Sequence, residues 1–525
     1  MERRLFTPSD KPEVGRHRSY KHQVEGKYAF KMYQGGPGAD EKLDAYKDMT
    51  KELQAIIAEC IASNKEVRTQ GSSWSLSKVG LAKDRLINSK QIRLLDFKLP
   101  ADLISPQYHD DHTKLRFLEC GESIHEVNKL LFRQGLSLKA SGSNNGQTLA
   151  GALSTGTHGG AFDFGAIPEF VVGLHMVVGP SKHVYLQRKS SPVMKKDFAD
   201  ALGATFVEDD EQFNAALVSF GSFGIIQGIM IEARSLFVLH STRFFHPFDD
   251  GLKKAISSLD FSGLDYSNSE MPASVPKDRP YHFQVFFNPN ENMPPDRASV
   301  LIMFEDDWNK WSDTYTEPEW DNRDAGPAAS GLEVIGAIYD MIPKSFARLI
   351  LPVLNAQIAD QLRPHYRLGI FRDLFAGERV EGELLVSGTA LPMARALEAL
   401  DIAFQSYKDF DTVLPVIISS RFVKGTTAML GFTKFDHNAT LEIDTVSTPK
   451  SREYLNLVRR KLEQNGIPFT VHWGKLESYL TPNRLKNMYG DKIDRWLVCR
   501  KTLLENENVR KIFTNDFMRR LELDK

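Results

Sequence analysis

The spacing of apolar residues changes along the chain and separates two regions of different secondary structure. Up to about residue 234, short apolar runs alternate with stretches of helical spacing, as in 42–63, where Leu53, Ile56 and Ile57 fall on one helical face. Beyond about residue 240 the apolar runs are longer and rich in Phe, Val and Ile, which is typical of strands. We therefore predict an α+β protein whose second region is built on a large antiparallel sheet.

The individual elements follow from the same pattern. In the first region we predict helices over Lys42–Ser63, Glu122–Gln134 and Asp197–Ser219, with stops at Asn64 and Gly135, and strands over Val67–Thr69, Leu115–Cys120, Phe170–Val178, Val184–Gln187 and the second half of Gly221–Ala233. In the second region we predict strands over Tyr281–Asn288, Ala298–Asp306, Val413–Phe422, Thr426–Lys434, Thr440–Thr445 and Pro468–Trp473, and a helix over Lys450–Gln464. The first forty residues are predicted to be irregular, and Asn483–Lys525 is predicted to be helical.

One apolar stretch has mixed spacing. Residues 331–362 are interrupted by Pro343 and Pro352, so they predict two or three short, broken helices. Such helices are typical of a core or a lid, and an amphipathic surface that touches a membrane is the alternative. We expect this stretch to roof a site, with peripheral membrane contact left open.

Composition excludes some classes of function. The chain has 525 residues, 42% hydrophobic content and a net charge of −2, so it predicts two or three domains and gives no electrostatic reason to expect nucleic acid binding. Cys60, Cys120 and Cys499 fit neither a disulfide nor a metal spacing. The sequence begins without the apolar run of a signal peptide and contains no transmembrane stretch. We expect a cytoplasmic protein without a bound metal.

The segment Ser141–Gly160, SGSNNGQTLAGALSTGTHGG, contains six glycines, four hydroxyl residues from Thr148 onward and no charged side chain. Glycine allows a ligand to approach the backbone closely, and the hydroxyl groups add hydrogen-bond donors. A surface loop is the simpler alternative, but the apolar residues between the glycines indicate a buried backbone. The segment therefore predicts a cofactor site.

Two further segments join it to give a family resemblance. Gln70–Ser77, QGSSWSLS, is a strand that runs into small hydroxyl residues, and Gly221–Ala233 is GSFGIIQGIMIEA. With 150–159, AGALSTGTHG, and 472–475, HWGK, these segments resemble the vanillyl-alcohol-oxidase-type (PCMH) FAD-binding superfamily, closest to its aldonolactone, alditol and type II sterol oxidase branch. The resemblance is strong over about 44–236 and moderate over 410–520.

The resemblance implies a fold, a cofactor and a reaction. It implies a two-subdomain FAD-binding domain over 1–237, with its core at about 44–236, an α+β substrate or cap domain over 238–480, and a C-terminal segment, 481–525, that returns to the first domain. It also implies an FAD-dependent oxidase or dehydrogenase. Such an enzyme oxidises a CH–OH group of a small alcohol, a lactone or a lipophilic alcohol by hydride transfer to flavin N5, and oxygen or another acceptor then reoxidises the flavin.

The implied FAD contacts come from all three glycine segments. The resemblance assigns cofactor binding to Gln70, Gly71, Ser72, Ser73, Trp74, Ser75, Ser141, Gly142, Thr148, Gly151, Ala152, Ser154, Thr155, Thr157, His158, Gly224 and Ile226. Many members of the family link the flavin covalently through a histidine in the first loop. Trp74 occupies that position here, and indole cannot form the bond, so we expect non-covalent FAD.

The implied catalytic residues lie in the second region. Lys475 matches the lysine of the family motif and is the candidate for positive charge beside flavin N1, and His472 is a candidate acid, base or structural partner. Relatives carry a Glu-x-Arg pair, whereas this chain has Ser419 and Arg421, so the glutamate is absent. Glu442 could supply a carboxylate with Asp444, although a solvated strand face is the simpler interpretation. The missing glutamate predicts a substrate less hydrophilic than a sugar lactone.

Other classes have weaker support in the sequence. The sequence His158-Gly159-Gly160 is similar to an esterase oxyanion loop, but no G-x-S-x-G motif exists in the chain. A polar loop, 109–112, has two histidines and two aspartates that are more consistent with solvation than with metal binding. A flavin-binding protein that has lost catalysis remains an alternative.

Overall fold

A computed structural model describes residues 4–17, 19–31, 38–93, 96–97, 99–275, 277–291, 293–316, 362–375, 384–410, 414–504 and 506–525. The stretch 331–362, for which we predicted broken helices and a roof over the site, lies outside the described residues except for Leu362.

Within the described residues the helices are α1 (Ala39–Ser63), α2 (Ile124–Phe132), α3 (Leu149–Ser154), α4 (Lys196–Leu202), α5 (Asp210–Leu217), α6 (Asp250–Ser258), α7 (Phe371–Leu374), α8 (Ala396–Lys408), α9 (Pro449–Gln464), α10 (Pro482–Tyr489), α11 (Lys492–Leu503), α12 (Glu507–Ile512) and α13 (Asp516–Arg520).

The strands of the same residues are β1 (Arg4–Pro8), β2 (Glu13–Val14), β3 (Lys21–His22), β4 (Gly26–Phe30), β5 (Val67–Gln70), β6 (Arg85–Asn88), β7 (Asp96–Phe97), β8 (Leu115–Glu119), β9 (Leu136–Ser137), β10 (Val171–Val177), β11 (His183–Gln187), β12 (Thr205–Glu208), β13 (Ile225–Glu232), β14 (Arg234–Ser235), β15 (Phe237–Pro247), β16 (His282–Phe287), β17 (Arg297–Asp307), β18 (His365–Ile370), β19 (Leu384–Pro392), β20 (Val416–Lys424), β21 (His437–Val446) and β22 (Thr470–Val471).

The first region of the chain forms two mixed sheets. One has the order β1-β4-β6-β5, with parallel pairs on both sides of β6, and the other has the order β12-β11-β10-β13-β8-β7. Helix α1 contacts both sheets, since its Glu59 accepts a hydrogen bond from the Tyr28 hydroxyl of β4 and its Thr50 hydroxyl donates to Gln227 of β13. Its apolar stripe, including Leu53, Ile56 and Ile57, is fully buried. Strand β5 ends at Gln70, which places the loop QGSSWSLS at the edge of its sheet.

The second region forms one large antiparallel sheet in the order β18-β15-β17-β16-β20-β21-β19-β22. Strands β20 and β21 pair over their full lengths, with Ser419 opposite Glu442 and Arg421 opposite Thr440. Strand β19 pairs with the other edge of β21, so that Gly388 lies opposite Glu442 and Val386 opposite Asp444. The predicted α+β class with a large antiparallel sheet is confirmed.

Three predicted elements are wrong. Asp197–Ser219 is not one helix, because Gly203 adopts a left-handed conformation (φ 75°) after α4, and β12 follows before α5 begins. Residues 426–434 form turns rather than a strand, and the Glu169 carboxylate accepts hydrogen bonds from the backbone of Thr427 and the hydroxyl of Thr426. The described part of the first forty residues is not irregular throughout, since β1 and β4 pair in a sheet.

The C-terminal helices pack against the first region. Trp496 on α11 is fully buried and donates a hydrogen bond to the Ala215 carbonyl, and Asn515 donates to the carbonyl groups of Val79 and Leu81. Arg519 forms an ion pair with Glu66. No helix among the described residues combines the length and apolar character needed to cross a bilayer.

Candidate active site

A cavity of about 540 Å³ lies between the glycine-rich segments of the first region and the strands of the eight-stranded sheet. The first wall, which we call the glycine-rich wall, consists of 69–81 and 142–158. The second, the sheet wall, includes residues of β16, β19, β20 and β21 and the turn 472–475. This volume is in the range of small-molecule and cofactor sites.

Most of the residues that the family resemblance assigns to the site line this cavity. They are Gln70, Gly71, Ser72, Ser73, Trp74, Ser75, Gly142, Thr148, Gly151, Ala152, Ser154, Thr155, Thr157, His158, Ile226, Arg421, Glu442, His472 and Lys475.

Two assigned residues do not line it. Ser141 is buried and its hydroxyl group donates to Oδ1 of Asn145, and Gly224 lies against the backbone of β10, where a β-carbon would meet the Val177 carbonyl oxygen at 2.4 Å. Both residues therefore pack behind the lining of the cavity.

Backbone donors dominate the glycine-rich wall at its first loop. The N–H groups of residues 71–75 make no hydrogen bond to any described residue, so consecutive donors are available in one loop. Such a run of N–H groups is the usual protein site for phosphate oxygens. Ser73 supports the loop in a left-handed conformation (φ 58°).

Glycine is required where the two loops of this wall meet. A β-carbon on Gly71 would lie 2.2 Å from the Thr148 hydroxyl oxygen, and one on Gly146 would lie 2.6 Å from the Trp74 ring. The Thr148 hydroxyl also accepts a hydrogen bond from the Gly151 N–H and so begins α3. The glycines therefore keep the two loops in contact and leave the backbone accessible from the cavity.

Two N-terminal residues that the sequence reasoning missed, His17 and Tyr20, also line the cavity, and Arg16 packs beside them. The His17 ring lies 5.6 Å from the Trp74 ring, the Arg16 guanidinium lies 4.8 Å from it, and the Arg16 N–H donates to the Ser73 carbonyl. Tyr20 completes this group. No motif marks these residues in the sequence, because their proximity depends on how β2 and β3 fold over the first loop.

An ion pair between neighbouring strands carries the charge of the sheet wall. Arg421 donates through Nε to Oε2 of Glu442 at 2.9 Å and through Nη2 to the same oxygen, and its Nη1 donates to the Ser143 hydroxyl at 3.0 Å. Glu442 lies directly across from Ser419. The carboxylate that is missing at Ser419 is therefore present on the adjacent strand, and the expectation of a solvated Glu442 is wrong.

The charge state of Glu442 follows from these neighbours. Burial opposes its charged form, but Arg421, His158 and Lys475 outweigh burial and lower its pKa to about 2. Its Oε1 lies 3.5 Å from Nε2 of His158. Glu442 is therefore an anion throughout the physiological range of pH.

The turn 472–475 places Lys475 beside this pair. The Gly474 carbonyl accepts a hydrogen bond from the Leu76 N–H, and the Trp473 carbonyl accepts one from the Ser77 hydroxyl, so the turn is tied to the first loop. A β-carbon on Gly388 would lie 3.4 Å from Cγ of Lys475. The lysine stem therefore crosses β19 at the position that has no side chain.

Two histidines of the site are neutral. Burial lowers the pKa of His158 to about 4 and that of His472 well below its usual value. Nδ1 of His472 accepts a hydrogen bond from the Gly474 N–H at 3.0 Å, and Nδ1 of His158 lies 3.1 Å from the Gly159 carbonyl oxygen. Their rings also contact Phe432, at centroid distances of 5.0 Å.

The remainder of the sheet wall is largely apolar, with one more carboxyl group. The apolar lining residues of this side are Phe286, Leu301, Met303, Leu374, Phe375, Leu384, Val386, Pro415, Ile417 and Val446. Asp444 lies among them, and burial and the nearby Glu442 raise its pKa to about 6. Arg243, His282 and Gln284 add polar groups that the sequence reasoning missed.

Buried polar atoms test whether the cavity suits a cofactor. Several lining residues hold such atoms without a hydrogen-bond partner in the described chain: Nδ1 of His17, Nε1 of Trp74, Oε1 of Gln147, Nε2 of His282 and Oε1 of Glu442. An unpaired buried polar atom is costly, so these atoms indicate a polar ligand. With the free N–H groups of 71–75, the cavity fits a flavin dinucleotide.

Comparison with known proteins gives a matching domain model, distant relatives and a fold. Residues 45–185 match the model of a family described as FAD binding domain. The chain is 26% identical over 243 residues to D-arabinono-1,4-lactone oxidase of Yarrowia lipolytica, a match that covers 43% of this chain and 41% of that protein. It is 25% identical over 227 residues to the enzyme of the same name from Saccharomyces cerevisiae, covering 43% and 38%. The matches thus span less than half the length of these relatives.

Two solved structures share the fold along nearly the whole chain. A mutant of cholesterol oxidase from Brevibacterium sterolicum has a TM-score of 0.67 at 12% identity, over 98% of this chain and 97% of that one. Xylooligosaccharide oxidase from Myceliophthora thermophila, in complex with xylobiose, has a TM-score of 0.60 at 10% identity, over 97% and 95%. Residues 45–185 therefore match an FAD binding domain, and the whole chain shares its fold with these two oxidases.

Proposed function

We propose that the protein is an FAD-dependent oxidase that converts a CH–OH group of its substrate into a carbonyl group. The observation that carries this proposal is the position of a buried Arg421–Glu442 pair and Lys475 directly opposite the glycine-rich wall, in one cavity. The arabinonolactone oxidase relatives support the same class of reaction.

Different residues of the cavity have different roles in the proposed reaction. The N–H groups of 71–75 would bind the pyrophosphate, and Thr148, Thr155 and Thr157 would bind other oxygen atoms of FAD. The bound flavin supplies the hydride acceptor. Lys475 would supply positive charge to the bound flavin, and this charge would need no reorganisation because the turn 472–475 fixes the lysine. Arg421 and Glu442 orient the substrate oxygen.

We propose that the FAD is bound without a covalent link. Trp74 packs on Gly146 and beneath Arg16, so it fills the part of the first loop where relatives of this family carry the linking histidine. Acid precipitation of the yellow protein should release FAD into the supernatant. If the washed precipitate keeps its flavin, the proposal of non-covalent binding is wrong, and His17 is then the residue to replace, because its ring lies beside Trp74.

We propose oxygen as the electron acceptor. Gly151 lines the cavity without a side chain, which leaves space for oxygen beside the ring. Stopped-flow mixing of the reduced holoenzyme with air-saturated buffer should reoxidise it within seconds. Reoxidation over many minutes would instead identify a dehydrogenase that uses another acceptor.

We propose an alcohol with an apolar body as substrate. The apolar lining of the sheet wall supports this substrate. The serine at position 419 does not, because Glu442 on the adjacent strand supplies a carboxylate opposite it. An aldonolactone is the second candidate, since the Arg421–Glu442 pair suits a polyoxygenated substrate and the relatives are lactone oxidases.

Anaerobic bleaching of the flavin separates these candidates. The panel contains primary alcohols of increasing chain length, cholesterol, D-arabinono-1,4-lactone and xylobiose. Faster bleaching by the long-chain alcohols or cholesterol supports the apolar substrate, and faster bleaching by the lactone supports the second candidate. A flavin that dithionite reduces and air reoxidises, but that no alcohol or lactone bleaches, would identify a catalytically degenerate binding protein.

A further inference from the structure

A second carboxyl group, that of Asp444, lines the same cavity as the Arg421–Glu442 pair. Asp444 follows Glu442 by two positions on β21, so both side chains lie on one face of the sheet, and both line the cavity. In the sheet, Asp444 lies between Val386 of β19 and Ile417 of β20, which also line the cavity. It therefore lies at the boundary between the charged and apolar parts of the sheet wall.

The proposed reaction needs a proton acceptor at this place. Conversion of CH–OH into C=O removes a hydride and a proton, and the acceptor must lie within hydrogen-bond reach of the hydroxyl group. Glu442 is unsuitable, because Arg421 holds it as an ion pair and its pKa is about 2. His472 is unsuitable as well, because Nδ1 already accepts the Gly474 N–H.

His158 is also a poor acceptor. Burial lowers its pKa to about 4, and its Nε2 lies 3.5 Å from the Glu442 carboxylate. Asp444 differs from these groups, since its carboxyl group makes no hydrogen bond to any described residue. It is also flanked by apolar side chains that limit the access of water.

On the basis of the proposed function, we propose that the Asp444 carboxylate accepts the proton of the substrate hydroxyl group. The O–H bond breaks and its proton passes to the Asp444 oxygen. The electron pair of the adjacent C–H bond leaves with its hydrogen as hydride to the flavin, and the C=O bond forms. Dioxygen then takes up the two electrons, so no further oxidant is required.

The surrounding charges and burial set the pKa of Asp444. Burial and Glu442 on the same strand raise the pKa of Asp444 to about 6, while Lys475 from the turn 472–475 and Arg421 from β20 act in the opposite direction. Strand β19 contributes the uncharged Val386 at this position. Burial lowers the pKa of His158 to about 4 and that of His472 well below its usual value, so these neighbouring groups are neutral at neutral pH. A base with this pKa is charged at neutral pH and still basic enough to take a proton.

The test compares three holoenzymes: wild type, Asp444→Asn and Asp444→Glu. Anaerobic flavin reduction is followed between pH 5 and 8 with the panel alcohol that bleaches the wild type fastest. The wild-type rate should rise with pH around pH 6, as Asp444 loses its proton. Asp444→Asn should reduce roughly 100- to 10,000-fold more slowly and without this rise, while Asp444→Glu should keep a rise. Asp401→Asn, an exposed carboxyl group on α8, should behave as wild type.

A second readout does not depend on turnover. An infrared titration of the holoenzyme between pH 5 and pH 7 should contain a protonated-carboxyl component with a midpoint near pH 6, which Asp444→Asn should remove and Asp401→Asn should keep. Wild-type rates and an unchanged pH profile in Asp444→Asn would overturn the assignment, and so would a component with this midpoint that persists in it. Failure of every alcohol and lactone to bleach the wild-type flavin would instead overturn the proposed function, and the role of Asp444 with it.

Discussion

The glycine-rich wall and the sheet wall differ in the origin of their polar groups. Around Gly71 and Gly146 the donors belong to the backbone, and the segment Ser141–Gly160 has no charged side chain. Around Glu442 the polar groups are ionised side chains whose pKa values depend on their neighbours. A backbone wall binds one cofactor by shape, whereas a wall of charged side chains can adapt to a substrate and drive chemistry. The experiments below test this division.

The largest effect is expected at the buried ion pair of the sheet wall. Glu442→Gln leaves Arg421 without its counter-ion, and breaking a buried pair in this way costs roughly 3–5 kcal/mol of unfolding free energy. Chemical denaturation at pH 7 measures this loss. In the same background, Ser419→Glu places a carboxylate across from position 442 and should restore part of the stability.

The lowered pKa of Glu442 predicts how the stability of the protein changes with pH. Its folded pKa of about 2 lies below the usual value of 4.5, so its contribution to stability is complete above pH 4.5 and is lost as the pH falls towards 2. Glu442→Gln should lack this part of the acid denaturation curve. Glu398→Gln, which breaks an exposed pair with Arg395, is the control and should change stability little. Equal losses in the two variants would contradict the assigned burial.

The next effect concerns the fixed charge of the sheet wall. Lys475→Met should keep FAD but lower the rate of flavin reduction roughly 100- to 1000-fold, because the anionic reduced ring loses its counter-charge. Sulfite binding, which also places negative charge on the ring, should weaken. Lys475 lowers the pKa of Asp444, so the variant without it should have a higher Asp444 pKa. The rise of the flavin reduction rate with pH should therefore move to higher pH.

Two controls accompany this variant. Lys424→Met removes an exposed lysine at the end of β20 and should leave both readouts unchanged. Arg421→Ala should mainly weaken substrate binding and leave sulfite binding near the wild-type value. Wild-type sulfite affinity in Lys475→Met would remove Lys475 from the proposed role.

A smaller effect is expected in the glycine-rich wall. Gly71→Ala brings a β-carbon to 2.2 Å from the Thr148 hydroxyl oxygen, so the loops must separate. Overpacking of this kind costs roughly 1–3 kcal/mol, which corresponds to an FAD affinity about 5- to 150-fold weaker. Flavin fluorescence during titration of the apoprotein measures it. Gly80→Ala is the matched control, because no atom lies within 4 Å of the added β-carbon; equal losses in both variants would show that the loop contact is unimportant.

The smallest effect concerns the contact between the two walls. Ser143→Ala removes the hydrogen bond from Arg421 and should cost roughly 0.5–1.5 kcal/mol of stability, because Ser143 is exposed to solvent. Denaturation of Ser143→Ala, Arg421→Ala and the double variant gives the coupling between them. Additive losses would mean that Ser143 does not position Arg421.

Local sequence patterns were sufficient for part of the fold. Helix α1 was predicted because its apolar residues keep a helical period and Asn64 ends it with a left-handed conformation (φ 51°). The strands of the second region were found to within a few residues where apolar runs are long. The prediction failed at β12, where a short strand stands between two helices, and at β1 and β4, whose strand character comes from pairing with distant partners.

Prediction from sequence was also limited at the candidate site, where it found the backbone motifs but not the contacts between distant side chains. The motifs of the first loop, of 150–159 and of 472–475 identified the cofactor wall and Lys475, because backbone sites need glycine at fixed spacings. The sequence identified Glu442 as a candidate carboxylate but did not pair it with Arg421, since Ser419 and Glu442 are far apart along the chain and become neighbours only through strand register. The cavity contacts of His17 and His282 had no local signal at all.

The sequence alone therefore determined the glycine-rich wall, the α+β class and the match to an FAD binding domain. The tertiary structure decided which charges meet: it placed Glu442 against Arg421, passed Lys475 over Gly388, and left Asp444 at the edge of an apolar surface. The physical reason is the separation along the chain of the residues on which each property depends. Backbone conformation depends on neighbours in the chain, whereas burial and ion pairing depend on residues that only the folded sheet brings together.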